Sequence, residues 1–169
     1  MRTGKPAHLK TFDYRGPQRY FLTFCTFQRT RRFVSAGQTE VALAQFRRTG
    51  AEQRFRLLAY CFMADHVHLL IEGATAESDG LAFIRNAKQY SAFYYRRSFS
   101  ARLWQRYGFE RVLRDDEDSL RVARYILENP VRAGLVTAVT DYPFLGTDVY
   151  TVATILEAIQ LRSRWYQSG

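Results

Sequence analysis

The spacing of apolar and polar positions changes several times along the chain, and each change marks an element. The stretch "RYFLTFCTFQR" (19–29) is dense in aromatic residues and Thr with no helical period, which predicts a strand. "QTEVALAQFRRTGAEQ" is rich in Ala, Gln and Glu and predicts a helix from Thr39 to Gln53. "FRLLAYCFM" (55–63) and "HVHLLIEG" (66–73) are strand-like runs separated only by Ala64 and Asp65, a hairpin-length gap that predicts antiparallel neighbours. A helical period follows over 77–99, with Leu81, Ile84, Lys88, Ser91 and Tyr94/Tyr95 at the expected intervals. A short strand is expected over Glu110–Leu113. The next expected helix covers 115–130: Asp115 or Asp116 caps it, acids fill its first turn, and Pro130 closes it. An amphipathic segment from Val149 to Trp165 ends the pattern.

The order is strand, helix, strand, strand, helix, strand, helix. It predicts an α+β fold of the ferredoxin-like split βαβ type, an antiparallel sheet with helices on one face and the other face open for a site. One domain over 1–169 is expected: a basic arm (1–19, with Gly4, Pro6, Gly16 and Pro17), a core (20–130), and a C-terminal loop and helix (131–169).

Composition adds exclusions. With 47% apolar residues the chain can bury a core, yet no apolar run is long enough to span a bilayer. The basic start "MRTGKPAHLK" lacks the apolar stretch of a secretory signal. Cys25 and Cys61 sit in apolar runs without metal-site spacing and read as buried reduced thiols. A cytoplasmic protein is expected.

Charge points to a partner. Twenty-five Lys and Arg against 16 Asp and Glu leave +9, with a pI near 9.9. Basic groups recur beside aromatics, as in "RTRR" (29–32), "FRR" (46–48) and "YYRR" (94–97), then Arg102, Arg106, Arg111 and Arg114. Arginine forks suit phosphate and aromatic faces suit bases, so nucleic acid is the natural partner. A solvated basic surface without a specific partner fits the composition equally.

The candidate chemistry lies in "MADHVHLL" (63–70). On a strand, His66 and His68 project from one face and can share a cation, or can simply be two histidines held by hydrogen bonds. Two imidazoles make a poor divalent site alone, because hard ions also want oxygen. Tyr125 and Asn129, four residues apart on one helical face, offer a phenol and an amide oxygen. In a chain with eleven tyrosines, Tyr125 also reads as an amphipathic residue at the edge of the core.

"YFLTFCTFQR", "MADHVHLL", "LWQR" and "RVLRDDEDSLRVARYILENPVRAGLV" together resemble the single-tyrosine HUH transposases, in particular the REP-associated tyrosine transposases. The similarity runs from about Arg15 to Phe144, with Ala64 where members usually have Pro. It implies an HUH endonuclease-type core in which His66, His68 and Asn129 hold Mg²⁺ or Mn²⁺ and Tyr125 is the nucleophile. The product would be a 5′-phosphotyrosine on single-stranded or hairpin DNA. DNA contacts are expected from Lys5, Lys10, Arg15 and Arg19 in the arm, and from Arg29, Arg31, Arg32, Arg96, Arg97 and Arg106. A monomer or homodimer in a bacterial cytoplasm, associated with the nucleoid, completes the expectation. The alternative is a domesticated protein that binds hairpin DNA or RNA without cutting; retention of both imidazoles, the tyrosine and its Asn favours the enzyme.

Overall fold

The computed structural model describes residues 12–114 and 119–167, so Lys5 and Lys10, like the expected caps Asp115 and Asp116, lie outside the described residues. The elements are β1 (Arg19–Cys25), α1 (Ala36–Gln53), β2 (Phe55–Met63), β3 (His66–Gly73), α2 (Gly80–Phe99), β4 (Phe109–Leu113), α3 (Ser119–Leu127), α4 (Asn129–Arg132), β5 (Leu145–Gly146) and α5 (Val152–Gln167). One sheet takes the order β4-β1-β3-β2-β5, with all its pairings antiparallel. This is the expected ferredoxin-like α+β sheet, extended by the two-residue β5 at the edge of β2.

The β2–β3 hairpin falls where the alternation placed it. Both long helices start where a cap permits. The Gln38 amide donates to Ser35 Oγ before α1, and the Ala82 amide donates to Asp79 Oδ1 before α2. Strand β1 stops at Cys25, short of the expected Arg29. There a one-turn helix carries Gln28 and Arg29 at positive φ, 53° and 55°. The expected helix over 115–130 is two helices, α3 and α4, parted at Glu128. Pro130 lacks the amide that would continue α3, but it fits the first turn of α4.

Side chains divide the sheet into two faces. Tyr20, Leu22, Phe24, Val67, Leu69 and Ile71 pack with α1 and α2 around Phe46, Phe83 and Trp104. On the reverse face, Leu70, Cys61 and Met63 pack against Val122, Ala123, Ile126 and Leu127 of α3 and Ile155 and Ile159 of α5. The two core helices thus lie on one face as expected. The other face is only partly open, because α3 presents a continuous apolar stripe that must be buried. Residues 12–18 are also less free than an arm: Tyr14 is buried, its hydroxyl donates to Glu110, and its carbonyl accepts from the Gly80 amide.

Candidate active site

Antiparallel register assembles one half of the site. Thr23 of β1 lies opposite His68, and Cys25 lies opposite His66. His66 and His68 therefore share the partly covered face, their ring centroids 4.7 Å apart. His68 is 4% exposed, whereas His66 faces a more open edge at the hairpin turn.

The inner nitrogen of each imidazole is engaged within the protein. His66 Nδ1–H donates to Asp65 Oδ1 at 2.7 Å, and the other carboxylate oxygen takes Arg29 Nε at 2.9 Å. Asp65 thus serves both the turn and the histidine. His68 Nδ1 is hydrogen-bonded to Thr23 Oγ1 at 2.8 Å. Both Nε2 atoms are left for a ligand. Burial, then the charges of His66, Arg132 and Arg29, hold the His68 imidazole far below its usual range, at about 3. It is neutral at physiological pH, the form in which a ring nitrogen can donate a lone pair.

Helix α3 supplies the other half. Its apolar stripe docks on the sheet and leaves Tyr125 at the border, 47% exposed, with its ring centroid 5.8 Å from that of His68. Phe21 backs both rings, 5.8 Å from Tyr125 and 5.5 Å from His68. Arg132, on α4, lies over the Tyr125 ring at 4.3 Å and donates to the Tyr125 carbonyl. A cavity of about 430 Å³ opens beside the phenol, lined by Phe21, Phe109, Arg111, Arg121, Arg124, Tyr125, Glu128 and Arg132 among others. It can take an anion of phosphate size next to an accessible hydroxyl.

Asn129 begins α4, half-buried, one residue past the helix break. Among the described residues no group of three His, Cys, Asp or Glu could hold a metal. The rival tyrosines sit elsewhere: Tyr95 is buried with its hydroxyl on the Arg32 carbonyl, Tyr90 lies under Arg48, and Tyr94 stacks edge-on to Phe93.

The arginines expected to meet DNA divide into two groups. Arg15 pairs with Asp79, Arg29 with Asp65, and Arg19, the first residue of β1, turns its guanidinium to Ser119 and the Arg114 carbonyl. Arg31, Arg96, Arg97 and Arg106 are exposed, whereas Arg32 is half-buried. Sequence reasoning missed Thr23, Arg29 as the partner of Asp65, and Arg132. Of these only Arg132 left a sequence signal, seven residues and two helical turns after Tyr125.

Comparisons with known proteins give the family and the fold. A family model described as "Transposase IS200 like" matches residues 17–129. A protein of Haemophilus influenzae bearing the name REP-associated tyrosine transposase is 30% identical over 138 residues, covering 74% of this chain and 77% of its own. The solved structure of a REP-associated tyrosine transposase bound to a REP hairpin superposes with a TM-score of 0.65 at 20% identity, over 80% of this chain and 79% of the other. A transposase structure from Deinococcus radiodurans gives 0.50 at 23% identity, over 76% and 97%. The chain belongs to the IS200-like transposase family.

Proposed function

We propose that the chain cleaves and rejoins single-stranded DNA at hairpins, with Tyr125 as the nucleophile and a 5′-phosphotyrosine as the intermediate. The observation that carries this reading is the accessible Tyr125 phenol beside His68, whose Nδ1, like that of His66, is already engaged. A tyrosine kept merely for packing needs no such neighbour.

In the cleavage step the Tyr125 oxygen attacks phosphorus, the O3′–P bond breaks, and the 3′-hydroxyl leaves as the phosphotyrosine forms. A phenol, with a reference pKa near ~10, is a weak nucleophile while protonated, so negative charge on its oxygen and on the phosphate must be stabilised. Arg132 lies over the ring, and Arg111 and Arg121 line the adjoining cavity, placing positive charge where this charge develops. In the tautomer whose Nδ1–H donates to Thr23 Oγ1, neutral His68 offers the Nε2 lone pair; His66, whose Nδ1–H is held by Asp65, does the same. The donor set of two imidazoles and a neutral amide fits a divalent cation whose remaining ligands come from the DNA. His66, His68 and Asn129 would hold Mg²⁺ or Mn²⁺, which when bound supplies Lewis-acid polarisation of the scissile phosphate. Because the phosphotyrosine conserves the bond energy, a 3′-hydroxyl of another strand can reverse the step and complete strand transfer. His68 and Tyr125 stand together within one chain, an arrangement open to a monomer or a homodimer.

Incubation with hairpin-bearing single-stranded DNA and Mg²⁺ should yield a covalent adduct that maps to Tyr125. Tyr125→Phe keeps the ring and its packing, and should abolish cleavage and adduct while hairpin binding persists. An adduct that survives in this variant on another tyrosine refutes the assignment. Binding without any adduct in the unaltered protein would favour a hairpin-binding role instead.

A further inference from the structure

A second basic cavity, of about 890 Å³, runs between α2 and the loop 100–106 and shares no lining residue with the cavity beside Tyr125. Arg85, Gln89, Phe93 and Arg96 line it from α2, at spacings of four, four and three that put them on one helical face. Arg102 and Arg106 face them from the loop. Among the described residues no carboxylate lines the groove, and none of Arg85, Arg96, Arg102 and Arg106 pairs with one. Elsewhere arginines do find such partners, as Arg47 does in Asp148 and Arg56 in Glu72. Here a concentration of like charge stays uncompensated.

The walls are fixed. Lys88 Nζ donates to the carbonyls of Gln105 and Arg106, at 3.0 and 3.2 Å, and Trp104 Nε1–H donates to Ser91 Oγ at 2.8 Å. Both tie the loop to α2. Phe93, by contrast, stands 56% exposed among the arginines, with Arg97 5.8 Å from its ring centroid. An exposed aromatic face set in a row of phosphate-binding forks suits an unpaired strand, whose bases are free to stack; a duplex hides its base faces.

One wall of the groove is bonded to the strand that pairs with His66. The Gln105 amide donates to the carbonyl of Cys25, and Cys25 is the register partner of His66. Arg102, over the Phe27 ring, supplies positive charge on that side.

We infer that this groove is a binding site for single-stranded DNA, holding an unpaired strand that runs on from the active site, with phosphates on Arg85, Arg96, Arg102 and Arg106 and a base on Phe93. The inference rests on the hairpin-DNA reading of the chain, but its test does not depend on the chemistry. Binding is measured in the Tyr125→Phe background with two probes: a short GC-stem hairpin, and the same hairpin with about ten unpaired dT on each side in turn. An extension on at least one side should tighten binding. Phe93→Ala, and separately Arg85→Ala with Arg96→Ala, should each remove about tenfold of that gain and leave the bare hairpin unaffected. The double variant should also flatten the log–log salt dependence of the extended probe by about 1.4, two phosphates' worth on a single strand. All three side chains are exposed, and circular dichroism checks that the variants fold. Equal weakening toward both probes places the stem in the groove and overturns the inference, as does a gain that the variants leave intact or an extension that never tightens binding. Absence of the adduct in the unaltered protein counts against the proposed chemistry alone.

Discussion

At the scale of single residues, the site depends on which atoms are already occupied. His66 and His68 present Nε2 because Asp65 and Thr23 take Nδ1. Asp65 is the more exposed of these two partners and is itself oriented by Arg29. Asp65→Ala should keep the turn, since Thr26 bonds the Asp65 backbone carbonyl and not its side chain. It frees the His66 ring to rotate and to change tautomer. Mn²⁺ affinity should fall about 10- to 100-fold, with Asp65→Asn intermediate because its amide oxygen still accepts from Nδ1–H. Titration followed by electron paramagnetic resonance measures this, and identical Mn²⁺ binding in all three proteins would remove Asp65 from the site. How much of this was legible follows from where the partners lie. His66 and His68 are two residues apart on a strand, and Tyr125 belongs to a recognisable motif. Thr23 becomes a partner only through the β1–β3 register, 45 residues away, and no local pattern carries that.

At the scale of elements, hairpin β2–β3 could be read to the residue because both strands are bounded by the same two-residue turn. The starts of α1 and α2 could not, since each is set by one capping side chain and not by the apolar period. The α3–α4 break follows from Pro130, but helix resumes beyond it because α4 uses that proline in its first turn. Covering of the second sheet face was hidden for another reason: an amphipathic helix announces that it will be buried, not against which surface. The segment before β1 is the clearest departure, and it can be tested. The Gly73 amide donates to the Gln18 carbonyl, and a Cβ added at Gly73 would overlap the Gly16 carbonyl. Gly73→Ala should push residues 16–18 off the end of β3 and destabilise the fold by about 1–3 kcal/mol, which lowers Tm by about 2–4 °C per kcal/mol. Gly37→Ala, in the first turn of α1, meets nothing within 4 Å and should not lower Tm. A Gly73→Ala melt that matches the unaltered protein would mean that residues 16–18 are not held there.

At the scale of the whole molecule, the +9 charge describes the protein less well than its distribution does. Several arginines are paired with carboxylates at the surface: Arg47 with Asp148, Arg48 with Glu52, Arg56 with Glu72, and Arg124 with Glu128. Arg85, Arg96, Arg102 and Arg106 have no such partner among the described residues and gather in one groove. Salt dependence can separate total charge from placed charge. Each phosphate neutralised on a single strand contributes about −0.7 to the slope of log K against log salt, so roughly five contacts give about −3.5. If attraction to DNA were only the far field of a basic protein, removing any two arginines would flatten that slope alike. If it is local contact, Arg47→Ala with Arg56→Ala should leave the slope unchanged within error, because those guanidiniums already serve Asp148 and Glu72. The pair also frees two carboxylates, so a far-field mechanism would weaken binding across the whole salt series in this variant. Anisotropy titrations of Tyr125→Phe on one hairpin probe, from low to physiological salt, decide between the two. A slope near zero in the unaltered background would disconnect the basic surface from DNA altogether. A slope that falls with Arg47 and Arg56 would return the binding to bulk charge. A steep slope indifferent to that pair makes DNA binding a property of where the arginines stand.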